Sequence, residues 1–149
     1  MRRAPLGLLT LALVVLAAAC GGGNDLTKAQ FVKQADAICQ KYDAKISAVP
    51  RPQSLNDVGQ YMDRVIPLFK DEVDAIDGLK PPKEIEGRVD GMVASARKTV
   101  TAAEDLRDAA KKKDEAAVRK ALHDGQAASA SSDKAARDLG LKRCGSSET

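Results

Sequence analysis

The stretch LTKAQFVKQADAICQKYDAKI, residues 26–46, decides the fold class. Thr27 followed three residues later by Gln30 is a capping box. It marks a helix start because each side chain can satisfy a backbone N–H that the first turn leaves without a partner. Leu26, just ahead of the cap, can staple onto Phe31. From there Phe31, Ala35, Ile38, Tyr42 and Ile46 recur at the spacing of one helical face. Pro50-Arg51-Pro52 stops the helix, since proline cannot continue the hydrogen-bond ladder.

The same pattern of cap, stripe and stop recurs downstream. Ser54 with Asp57 opens a second helix, whose stripe is Leu55, Val58, Met62, Val65, Phe69, Val73 and Ile76. Pro67 lies inside it, so a kink near residues 63–66 is expected. Gly78 is placed to end it in the left-handed conformation, with Leu79 folding back on Val73. Pro81-Pro82 starts a third helix carrying Ile85, Val89, Met92 or Val93, Ala96, Val100, Ala103, Leu106 and Ala110. Gly87, Gly91 and Ser95, four residues apart, predict a face that another backbone approaches closely. Asp114 caps a fourth helix, running through Val118, Ala121, Leu122, Ala128 and Ala135 to Leu139, where Gly140 ends it. No stretch alternates as a strand. Short connections between such helices predict an all-α, antiparallel up-down four-helix bundle over residues 27–144, followed by a disordered tail, 145–149.

Residues 1–19 have a different character. Arg2 and Arg3 precede an almost continuous apolar run from Leu6 to Leu16, and Ala17-Ala18-Ala19-Cys20 follows. A charged start, a brief apolar run and small residues describe an export signal. At about 14 residues the run falls short of the ~20 that span a bilayer as a helix. The cysteine at the end of the small residues, with Gly21-Gly22-Gly23 after it, resembles a bacterial lipobox, with Ala17 standing where leucine is common. The expected product begins at Cys20, carries a diacylglyceryl group on that sulfur, and is tethered through residues 20–26 to the extracytoplasmic face of the cell membrane.

Removing Arg2 and Arg3 takes the net charge from +3 to about +1. An evenly mixed, near-neutral surface gives no support for nucleic-acid binding. Lys111-Lys112-Lys113, the one basic run, reads as a solvated helix end, where cations favour the helix dipole. With Cys20 assigned to lipid, Cys39 and Cys144 remain as a pair in an oxidising compartment, which predicts a disulfide. Two cysteines and one histidine without ligand spacing give little basis for a metal site. For the sulfurs to meet, the chain must turn at Gly140 and run back beside the first helix.

Residues 26–31, 35–39, 79–82 and 139–145 (Leu26-Thr27-Lys28-Ala29-Gln30-Phe31, Ala35-Asp36-Ala37-Ile38-Cys39, Leu79-Lys80-Pro81-Pro82 and Leu139-Gly140-Leu141-Lys142-Arg143-Cys144-Gly145) together resemble a group of uncharacterised small exported lipoproteins of high-GC Gram-positive bacteria. The resemblance implies export, a helical fold and the disulfide. It brings no activity, catalytic residue or cofactor with it.

Chemistry is sparse along the chain. His123, the single histidine, has no identifiable nucleophile or orienting acid, and reads as a surface residue. Asp71, Glu72, Asp74 and Asp77 read as a solvated acidic face, with a weak divalent-cation site as the sharper alternative. Glu104, Asp105 and Asp108 interleave with Arg107, Lys111 and Lys112 as surface charge. Aromatic residues are 3% of the chain, and alanine-rich third and fourth helices are expected to close on one another with little void, leaving Met62 and Met92 as gap fillers. No catalytic, cofactor or metal residue is assigned. The leading expectation is a non-enzymatic lipoprotein, attached to the membrane by its lipid and acting on an envelope protein or cell-wall partner. The alternative is a small-molecule or metal-ion binding module, which a cavity above ~300 Å³ would favour.

Overall fold

The computed structural model describes residues 25–145; residues 1–24, with the expected export signal and Cys20, and residues 146–149 lie outside the described residues. Four helices make up the domain: α1 (Lys28–Ser47), α2 (Leu55–Asp77), α3 (Lys83–Lys112) and α4 (Glu115–Leu139). They pack on one another as a helical bundle, without a strand among the described residues.

The helix starts follow the local chemistry. The Thr27 N–H donates to the Gln30 side chain at 2.8 Å, and the Gln30 N–H donates to the Thr27 hydroxyl at 3.2 Å. The Asp57 carboxylate accepts from the Ser54 N–H at 3.0 Å and from its hydroxyl at 2.8 Å. Pro82 is the N-cap of α3, and Asp114 accepts from the Ala116 and Ala117 N–H groups at the start of α4. Leu26 is part of the fold, not of a free tether: its N–H donates to the Lys80 carbonyl at 2.8 Å, and its side chain packs on the core that holds Phe31.

Several local expectations are corrected. Gly78 is right-handed, with φ −71°, because the extended Leu79–Pro82 connection leaves α2 without needing a left-handed reversal. The left-handed stops are Lys113 (φ 57°) and Gly140 (φ 96°). Pro67 stands within α2 on its exposed side, and the helix is continuous there, which is compatible with the expected kink. Leu55 and Leu122 are exposed, and Ile66 takes an inward position instead. Gly87 and Gly91 face open space: a Cβ built on either meets nothing within 4 Å. The close approach lies elsewhere, between α3 and α4, where a Cβ on Gly125 would sit 3.5 Å from that of Ala102.

The core has two parts. One gathers Phe31, Ala35, Val73, Ile76, Val89 and Leu139 around the disulfide end. The other, built on Leu106, Ala109, Val118 and Ala121, lies where α3 turns into α4. α4 packs along α3, α3 along α2, and α1 lies more loosely on α2; α1 and α4 hardly touch directly.

What lies between α1 and α4 is the C-terminal segment. At Gly140 the chain reverses, with the Gly140 and Leu141 N–H groups donating to the Arg137 and Ala136 carbonyls, and Leu141 is buried. The Lys142 and Arg143 N–H groups then donate to the Asp36 carboxylate at 2.8 to 3.1 Å. One helical turn further along α1, Cys39 is bonded to Cys144, with their Cα atoms 5.3 Å apart. Gly145, expected in the disordered tail, is buried: its carbonyl accepts from Arg137 at 2.8 Å, and a Cβ there would stand 2.9 Å from the Asp133 carbonyl.

The disulfide closes a loop of 105 residues. Its reduction is expected to lower unfolding free energy by about 3 kcal/mol in denaturant titration. Gly87→Ala and Gly91→Ala, on an open helix face, should each raise it by about 0.5–1 kcal/mol, because alanine restricts the unfolded chain and meets no obstacle in the folded one.

Candidate functional site

A half-open cavity of about 370 Å³ lies inside the bundle beside the disulfide. Every helix and the C-terminal segment contribute to its wall. From α2 come Phe69, Val73 and Ile76, and from α3 Met92, Val93, Ala96 and Val100, which together make an apolar lining. α4 presents Ser129 and Ser132, side chains too short to fill the space towards α1. The disulfide itself forms part of the wall.

Set into this lining are three carboxylates from three helices: Asp43 of α1, Glu72 of α2 and Asp133 of α4. Arg143 of the C-terminal segment is the single cation among the described lining residues, and both it and Asp43 are engaged in interactions of their own. Glu72 differs. No hydrogen bond or ion pair to its carboxylate is formed among the described residues, and its titration is pushed up to about 7, first by burial and then by the negative charge of Asp43. Burial also raises the Asp133 carboxyl, against the opposing pull of Arg137. Both shifts have the same physical origin: an apolar wall solvates a carboxylate poorly, so the neutral acid is favoured.

The residues singled out in the sequence are distributed as follows. Cys39 and Cys144 are joined. His123 is exposed, its Nδ1 3.4 Å from the neighbouring Asp124. Asp74 and Asp77 both engage Arg97, at 3.6 and 2.8 Å, so that acidic face is tied to α3. Asp71 is exposed, and Glu72 belongs to the cavity. Glu104 pairs with Lys70 at 2.7 Å and Lys111 with Asp63 at 2.8 Å, two bridges between α2 and α3. Met92 lines the cavity, while Met62 packs on the second core. The expectation of little void holds where Ala102 meets Gly125 and fails beside the disulfide, where the cavity lies.

A signal for Glu72 was available in the spacing. It stands three residues after Phe69 and four before Ile76, at the edge of the apolar stripe, while its acidic neighbours Asp71, Asp74 and Asp77 face water. A second hollow, about 400 Å³, lies at the turn from α3 to α4. Its walls alternate Asp105, Asp108, Asp114 and Asp124 with Lys112 and Lys120, and have little apolar surface to hold a ligand. Among the described residues no group of three or more His, Cys, Asp or Glu could hold a metal ion. Compared with models of known protein families, with curated proteins and with solved structures, the chain matches none.

Glu72 makes stability depend on pH in a definite direction. Its folded titration lies above the unfolded value of 4.5, so the folded state holds an extra proton between pH 4.5 and 7. Stability is therefore full below the unfolded value and declines as pH rises through about 7. Unfolding free energy is expected to fall by about 2 kcal/mol from pH 5 to pH 8. In Glu72→Gln this decline should be largely abolished, and a wild-type profile that is flat over the same range would contradict the assignment.

Proposed function

We propose that this protein is a non-catalytic binding module of the cell envelope, holding a small and largely apolar molecule in the bundle cavity while a lipid on Cys20 keeps it at the membrane. The observation that carries the reading is the cavity. At about 370 Å³ it falls within the range of small-molecule sites, and its apolar wall with a few placed polar groups matches their usual chemistry. This favours ligand binding over the surface-contact role expected from the sequence. Leu55 and Leu122 are the large apolar side chains exposed among the described residues, and isolated exposed residues of this kind do not make a docking face.

The membrane part of the proposal is supported by the order Arg2-Arg3, apolar run, small residues, Cys20, and by the use of the other two cysteines in a disulfide. Mass analysis of the mature N-terminal peptide is expected to find a diacylglyceryl group on Cys20. An unmodified thiol there would remove the anchor.

The cavity is tested by filling it. N-phenyl-1-naphthylamine, a neutral apolar dye, should brighten on mixing with the wild-type protein. Ala96→Phe places an aromatic ring in the space and is expected to suppress the fluorescence by tenfold or more, while keeping the melting temperature of the dye-free protein. Equal brightening by both proteins would place binding outside the cavity.

A further inference from the structure

Three carboxylates and one guanidinium border an apolar space, Asp43 and Arg143 exposed and Glu72 and Asp133 half-buried, and they leave a formal excess of negative charge there. Some carboxylates outside the cavity have lysine or arginine partners: Asp77 has Arg97 at 2.8 Å and Glu104 has Lys70 at 2.7 Å. Glu72 has no such partner among the described residues, although it lies next to Phe69 and Val73 on the cavity wall. The carboxylates come from α1, α2 and α4, and among the described residues no group of three or more His, Cys, Asp or Glu could hold a metal ion, whereas an organic cation needs only one carboxylate beside an apolar wall.

We propose that the ligand is a single-chain cationic amphiphile, with its hydrocarbon part among Phe69, Met92, Val93 and Val100 and its ammonium group against the Glu72 carboxylate. The proposal rests on the cavity being the binding site. The apolar part is driven into the cavity by burial of its surface. The ammonium supplies counter-charge to Glu72 beside an apolar wall that shuts out part of the water, where such an attraction is stronger than in bulk solvent. Every charged group facing the site enters the balance. Asp43 from α1 and Asp133 from α4 reinforce Glu72, Arg143 from the C-terminal segment opposes the cation, and α3 contributes Thr99 and apolar residues without a charge.

Binding is therefore coupled to protons. A cation selects the ionised form of Glu72, whose carboxyl titrates near 7 in the empty site, so binding near neutrality expels a proton. Affinity should rise about tenfold from pH 6 to pH 8, the factor by which the competing neutral acid is depleted over that range. An anionic amphiphile has the opposite dependence, and a neutral one little dependence at all.

Titration calorimetry on the purified protein separates these cases. The probes are octyltrimethylammonium, whose charge is permanent, octanol and octanoate, all below their micelle concentrations. The expected result is binding of the cation at least tenfold tighter than octanol at pH 8, with the tenfold pH dependence. At pH 6.5 a proton should be released, detected by repeating the titration in buffers of different ionisation enthalpy. Glu72→Gln should lose both the preference and the proton release while still binding octanol. If octanol or octanoate binds as well as the cation, and Ala96→Phe abolishes that binding, the cavity remains the site and the cationic ligand is overturned. If no probe binds, or Ala96→Phe leaves binding unchanged, the cavity reading falls as well.

Discussion

The attachment of the last five described residues to α1 governs the rest of the molecule. Asp36 and Cys39 stand three residues apart, hence on one face of α1. The carboxylate takes two backbone N–H groups of the segment, and the sulfur takes Cys144 covalently. Hydrogen bonds to a charged acceptor are stronger than neutral ones, and here they fix backbone that no helix would otherwise satisfy. On the other side the segment lies against α4, through Leu141 in the core and the Arg137 contact with the Gly145 carbonyl. The C-terminal segment therefore stands in for a direct α1–α4 seam. It also explains the cavity, because helices separated by the thickness of a peptide chain need long side chains to close the space beyond it, and α4 offers Ser129 and Ser132 there.

The distribution of charge follows a different economy inside and outside. On the surface, Lys70–Glu104, Lys111–Asp63 and the Arg97 pairs connect α2 to α3 in high dielectric, where such bridges add little stability but leave no charge stranded. At the cavity the wall keeps Glu72 among apolar neighbours, where ionisation opposes folding. A glutamine of the same shape would avoid that conflict. A fold that keeps a carboxyl poised near neutrality in a hollow has the signature of a site, since strongly shifted titrations gather where groups must interact with something other than their own fold.

The helical architecture was legible because its determinants are local. Thr27 with Gln30, Ser54 with Asp57, and Asp114 each announce a helix start within a few residues, and stripes such as Phe31, Ala35, Tyr42 in α1 and Ile85, Val89, Val100 in α3 mark inward faces without knowledge of the partner. The disulfide was legible from parity. What escaped depends on what stands opposite. Gly78 and Gly140 look alike as helix stops, but only Gly140 adopts positive φ, where Leu141 turns back to donate to the Ala136 carbonyl. Gly87 and Gly91 have the spacing of a contact face and no helix arrives to use it, while Gly125, unremarked in the sequence, meets Ala102. The cavity was illegible for the same reason: short side chains close a seam when backbones can approach, and leave a hollow when something holds them apart.

That dependence ties the candidate site to the disulfide. Cys39 and Cys144 brace α1 against the C-terminal segment and at the same time present their sulfurs to the cavity, with Cys144 Sγ 3.4 Å from the Ala35 carbonyl. Arg143, the residue before the bridge, brings the one cation of the described lining; Asp43, one turn after Cys39, brings a carboxylate. The bridge thus helps to place two of the cavity's charged groups. Glu72 and the apolar wall of α3 belong to the better-packed α2–α3 pair and do not need it. The site therefore has one part carried by the packed helices α2, α3 and α4, and another, Asp43 and Arg143, placed by the bridge together with the Asp36 hydrogen bonds.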